Sequence, residues 1–141
     1  MEFRIATKAD IDFVAENSLY GPIGKEQQEQ IDFVYTLDHG DYILGVGGFR
    51  MVTDSTAWGW IELSGYIGNH LVPTIRVIQD YMKIFCSNHK IRRLQAWVAS
   101  DFPEGIRTAK HLGFVEECTM IDFLGKGKNA ILLVQYFNGD N

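Results

Sequence analysis

Residues 57–100 read AWGWIELSGYIGNHLVPTIRVIQDYMKIFCSNHKIRRLQAWVAS. The segment opens with a strand, Ala57 to Ser64. Its alternation puts Trp58, Trp60, Glu62 and Ser64 on one face, and Ala57, Gly59, Ile61 and Leu63 on the other. From about Gly68 or His70 to His89 the period becomes helical. Leu71, Ile75, Ile78, Met82 and Phe85 recur at i, i+4, i+7, i+11 and i+14, one apolar stripe. Pro73 fits the first turn, where its missing N–H costs nothing. Arg92 to Ser100 returns to a strand. Strand, long helix and strand in succession predict two parallel neighbours joined by a crossover.

On the N-terminal side, residues 2–6 form a short strand, and Thr7 or Asp10 caps a helix running to about Ser18. Residues 20–24 are a Gly/Pro loop. Lys25 to Leu37 reads as a second helix with Ile31, Val34 and Tyr35 on its apolar side. Residues 42–52, YILGVGGFRMV, are rich in β-branched and aromatic residues, and Gly45, Gly47 and Gly48 mark a bulge or a close backbone approach. Residues 53–56 turn the chain back toward Ala57. On the C-terminal side Pro103 starts a further helix, which Gly113 ends as a C′ residue. Strands at about 114–124 and 130–137 close the chain. The order is β-α-α-β-β-α-β-α-β-β, an α/β fold with a mixed sheet, helices on both faces, and one domain over 1–141.

The composition excludes several classes. The chain has 141 residues, 13 Lys+Arg and 18 Asp+Glu, for a formal net charge of −5, which counts against a nucleic-acid binder. No apolar run approaches the ~20 residues of a membrane span, and the charged N-terminus MEFRIATKADIDF is unlike a signal peptide. Cys86 and Cys118 make no ligand spacing, and His39, His70, His89 and His111 are scattered, so no metal is expected. A reducing, cytoplasmic setting follows, with both cysteines expected to be small buried hydrophobes.

The element order, with FRIATKADIDFV at the start, the strand YILGVGGF and the corner HLGF at 111–114, resembles the GNAT superfamily of acyl-CoA-dependent N-acyltransferases. The resemblance implies acetyl-CoA as acyl donor and a small-molecule or protein amine as acceptor. It implies that the end of the 57–64 strand, including Leu63, Ser64 and Gly65, holds the pantetheine arm. The following loop, with Gly65, Ile67, Gly68 and Asn69, would then hold the pyrophosphate at a helix start. The chain departs from the family pattern at three places. The loop lacks the usual glycine spacing and basic residue, Ala109 stands where many members carry a proton-donating Tyr, and Phe102 stands where an Asn contacts pantetheine. With these departures, the glycine pair at 47–48, the tryptophan-bearing strand 57–64, Ala96-Trp97-Val98 and the following helix into HLGF resemble phage-encoded GNAT-like proteins with a decayed CoA loop, including internal virion proteins.

Glu62 is the candidate general base, because a carboxylate beside Trp58 and Trp60 has its pKa raised by desolvation. The plainer alternative is a half-exposed strand glutamate. His70 is a second candidate, as a base or anion partner, against a solvent-facing residue at a helix start. Lys90, Arg92 and Arg93 suit either a solvated turn or the adenosine phosphate. Trp58, Trp60 and Trp97 pack the core or line a partner interface. Two functions follow: an acetyl-CoA-dependent N-acyltransferase, or a catalytically inactive GNAT-fold phage protein that binds a protein partner or a second copy and resides in the virion.

Overall fold

The computed structural model describes residues 2–19 and 33–137. Among them the elements are β1 (Glu2–Ile5), α1 (Lys8–Glu16), β2 (Phe33–Asp38), β3 (Ile43–Met51), β4 (Thr56–Leu63), a 3-10 helix (Gly65–His70), α2 (Leu71–Asn88), β5 (Arg93–Ala99), α3 (Pro103–His111), β6 (Val115–Gly125) and β7 (Lys128–Tyr136). The strands form one mixed sheet of order β1-β2-β3-β4-β5-β7-β6. The expected α/β architecture of a mixed sheet flanked by helices is present. β4 and β5 pair in parallel, Thr56 opposite Arg93 and Trp58 opposite Gln95, as the strand-helix-strand reading of 57–100 requires.

The second helix expected over Lys25–Leu37 is overturned at residues 33–37, and with it the order β-α-α-β-β-α-β-α-β-β. Residues 33–37, assigned to a second helix, form most of β2, which pairs antiparallel with β1 and β3. The run FVYTLD is short, aromatic and β-branched, and periodicity alone does not separate helix from strand over six residues. Pairing on both edges decides it, with Tyr35 opposite Ile5 and Phe33 opposite Phe49. The remainder of that helix, residues 25–32, and the whole Gly/Pro loop, residues 20–24, lie outside the described residues.

The contacts divide the chain into two compact units, Met1–Arg50 with Gly59–Thr74, and Met51–Trp58 with Ile75–Asn141. In the first, Val14, Ala15, Leu37, Leu44, Val46, Phe49, Leu63 and Ile67 are buried. Thr7 caps α1 through a capping box, its hydroxyl accepting from the Asp10 N–H while Asp10 accepts from the Thr7 N–H; such a cap contributes about 1 kcal/mol. The same Asp10 carboxylate takes two hydrogen bonds from Arg4, at 2.6 and 3.0 Å, and one from the Thr36 hydroxyl. Arg4 also reaches Asp38 at 3.1 Å. One guanidinium thus ties β1 to α1 and to β2. Gly45 and Gly47 mark a close backbone approach, since a Cβ on either would lie 2.9 Å from a β4 carbonyl oxygen, that of Glu62 or Trp60.

In the second unit Met82, Phe85 and Cys86 of α2 are buried, as are Ile91, Leu94, Ala109, Leu112, Phe114, Ala130, Leu133 and Val134. Of the α2 stripe, Met82 and Phe85 are buried, Ile75 and Ile78 are half-buried, and Leu71 is exposed. α3 ends in a Schellman motif: the Phe114 N–H bonds to the Ala109 carbonyl and the Gly113 N–H to that of Lys110, with Gly113 at φ +104°. β6 is the outermost strand and is exposed along nearly its whole length. Cys118 lies on it and is exposed, contrary to the expectation of burial. Its register against β7 shifts between Met120 and Gly125, where Asp122 adopts φ +56°.

Candidate functional site

The candidate residues Glu62, Leu63, Ser64, Gly65, Ile67, Gly68 and His70 all belong to the first unit, at the end of β4 and in the 3-10 helix. Asn69 lies in the same helix. Glu62 is half-buried near the end of β4. Burial pushes its carboxyl up from its ordinary value, and a hydrogen bond donated by the Ser18 hydroxyl partly opposes that shift. Ser18 itself is held by the backbone: it bridges antiparallel to Ser64, while the Leu19 N–H bonds to the Leu63 carbonyl at 2.9 Å.

His70 is half-buried at the end of the 3-10 helix, so it is not the solvent-facing residue of the plainer reading. Its Nε2 shares a hydrogen bond of 3.2 Å with the Tyr42 hydroxyl, and its ring lies 4.6 Å from that of His39. The stack continues from His39 to Tyr42, Tyr66 and Phe13, with centroid separations of 5.1, 5.4 and 5.7 Å. Glu62 bonds to Ser18 and His70 to Tyr42, so the two candidates have different partners. Ser18, His39 and Tyr42 were not singled out from the sequence. They lie 44, 31 and 28 residues from the groups they meet, and no local spacing signals such contacts.

No protein-family model and no curated protein matches the sequence. Solved structures do. A GNAT family acetyltransferase from Elizabethkingia anophelis, with acetyl-CoA bound, superposes with a TM-score of 0.76 at 13% identity, over 96% of this chain and 97% of that one. The ribosomal-protein-S18-alanine N-acetyltransferase from Escherichia coli gives 0.72 at 14% identity, covering 99% and 97%. A variant of the spermidine N-acetyltransferase SpeG from Vibrio cholerae gives 0.72 at 10% identity, covering 96% and 95%. The chain has the GNAT fold. At these identities the likeness establishes architecture and leaves the chemistry to the residues.

Those residues fit the nucleotide end of acetyl-CoA poorly. A pyrophosphate at a GNAT loop needs N–H groups left over by the chain. Here the Gly65 N–H bonds to the Asn17 carbonyl at 2.7 Å, the Tyr66 N–H to the Ser64 hydroxyl at 3.0 Å, and the Ile67 N–H to the Ser64 carbonyl at 3.1 Å. Pro73 brings no N–H to the first turn of α2, and residues 59–75 contain no Lys or Arg. Leu63, Ser64 and Ile67 are buried, at 5%, 0% and 2% exposure, while Gly65 and Gly68 are exposed. Gly68 carries the kink of the 3-10 helix, at φ +43°. In the second unit Arg93 is engaged by Glu117 at 2.7 Å and by Gln95 and Tyr136. Ala109 is buried and has no group to donate a proton.

Proposed function

We propose that the 141 residues form one acyl-transfer domain that acylates an amine from a thioester donor, with Glu62 as the proton acceptor. The observation that carries this reading is the Glu62 carboxyl itself, half-buried, raised in pKa by burial and fixed by Ser18. An alkylamine is an ammonium ion at neutral pH and attacks nothing until it loses a proton. A carboxylate with a raised pKa is a better acceptor for that proton than one in water. Ser18 holds the carboxylate in one orientation. The acceptor class is a small-molecule or protein amine, in keeping with what the SpeG and ribosomal-protein-alanine enzymes act on by name.

A second reading is favoured by one observation, the internal pairing of the Gly65, Tyr66 and Ile67 N–H groups. In it the chain is a GNAT-fold binding module without chemistry, akin to phage internal virion proteins. Thiol release from acetyl-CoA and from S-acetylpantetheine across a panel of amines separates the two. Turnover that falls by about 100-fold or more in Glu62→Gln, with donor affinity unchanged, supports the enzyme. No release from either donor with any amine overturns it and sends the search to protein partners by pull-down.

A further inference from the structure

We infer that this chain recognises its donor only as an S-acyl pantetheine arm, and that the nucleotide of acetyl-CoA adds nothing to recognition. The inference rests on the acyl-transfer reading and narrows its donor. The adenosine-phosphate half of coenzyme A is a polyanion. A protein holds such a group with N–H donors and cations, each charge-assisted bond being roughly twice as strong as a neutral one. Among the described residues of the first unit, the N–H groups of Gly65, Tyr66 and Ile67 are already paired, and residues 59–75 carry no Lys or Arg.

The three N–H groups that follow β4 are already satisfied from within. Asn17, in the turn after α1, supplies one acceptor, and Ser64 supplies two, its hydroxyl and its carbonyl. Ser64 is fully buried, so its hydroxyl is committed to the Tyr66 N–H and is not exchanged with solvent. To accept a phosphate, the chain would have to break these bonds and leave the Asn17 and Ser64 oxygens without donors. A bond to phosphate gained that way replaces one already made, so only the difference between the two is gained. No Lys or Arg between residues 59 and 75 offsets the anion's desolvation. A pantetheine arm carries amides and a thioester but no charge, so none of these objections applies to it.

The experiment is isothermal titration of the full chain with acetyl-CoA, with S-acetylpantetheine and with adenosine 3′-phosphate 5′-diphosphate. The expected result is that the two thioesters bind with dissociation constants within tenfold of each other and that the nucleotide gives no heat at millimolar concentration. In a parallel amide NMR titration the Gly65, Tyr66 and Ile67 resonances stay in place with the nucleotide. A preference for acetyl-CoA of more than tenfold, or displacement of those three resonances by the nucleotide, overturns the inference and leaves the acyl-transfer reading intact. Absence of binding by both thioesters overturns the inference and the acyl-transfer reading together.

Discussion

Ser18 donates its hydroxyl to the carboxylate of Glu62, joining the turn after α1 to the end of β4 across 44 residues of chain. The bond favours the ionised form, while burial favours the neutral one and prevails, so the Glu62 pKa is raised. Removing the hydroxyl leaves burial unopposed. Ser18→Ala therefore moves the Glu62 pKa further up, which a carboxyl-carbon NMR titration reads directly, and shifts the acid limb of the pH–rate profile to higher pH. In Glu62→Gln that limb disappears.

The same shift has a consequence for stability. A carboxyl with a higher pKa folded than unfolded binds protons more tightly in the native state. Its contribution is favourable below the unfolded value and is lost as the pH rises through the folded one. At neutral pH the charged carboxylate is a burden on the fold. Glu62→Gln is expected to raise the neutral-pH melting temperature by about 2–4 °C, for a gain of roughly 1 kcal/mol or less, and to do nothing at pH 4.

The Arg4 tie behaves in the opposite sense. The guanidinium holds the Asp10 carboxyl well below the usual carboxylate range, aided by the Thr7 N–H. The Gly40 N–H, followed by Arg4, lowers that of Asp38. Both groups contribute stability that is present above the ordinary carboxylate pKa and is lost as the pH falls through the depressed values. Asp10→Asn keeps the shape and removes the charge from a site that is 9% exposed. It is expected to lower the urea midpoint at pH 7 and to flatten the loss of stability on acidification.

The two cysteines should report their environments. Cys86 is fully buried and burial pushes its thiol up to about 12, whereas Cys118 is exposed on β6. Ellman's reagent is expected to titrate one thiol per chain in the native protein and two in denaturant. Cys118→Ser removes the native reaction and leaves the fold unchanged.

At Gly45 and Gly47 a methyl group would press on a backbone carbonyl, which has nowhere to go. Gly45→Ala and Gly47→Ala are each expected to destabilise by about 1–3 kcal/mol, read as a lower midpoint in urea with an unchanged slope. Gly127→Ala, at φ +73° with no neighbouring atom within reach of the methyl, tests backbone strain without a clash and should cost less.

The parts of the fold that could be read from the chain are those whose burial follows a local period. The α2 stripe from Ile75 to Phe85, the Thr7 cap, the Pro103 start and the Gly113 stop are each set by neighbours within a turn or two. β2 was not legible, because Val34 and Tyr35 suit a helical stripe as well as a strand and only the β1 and β3 edges choose between them. The exposure of Cys118 follows from the place of β6 at the sheet edge, a property of topology. At the site, Glu62 and its raised pKa were visible in the alternation of β4. Ser18 was not, and neither was the use of Asn17 and Ser64 to satisfy the loop's N–H groups, since both depend on where α1 delivers the chain.

β6 presents eleven residues at an open sheet edge, with Ile121 and Phe123 largely exposed. A neighbouring molecule adding a strand there needs an even row of donors and acceptors. The row is interrupted where Asp122 turns left-handed, its N–H spent on Asn129 and its carboxylate on the Gly127 N–H. That one residue breaks the even row along an apolar border, so a second copy of the strand finds no continuous template there.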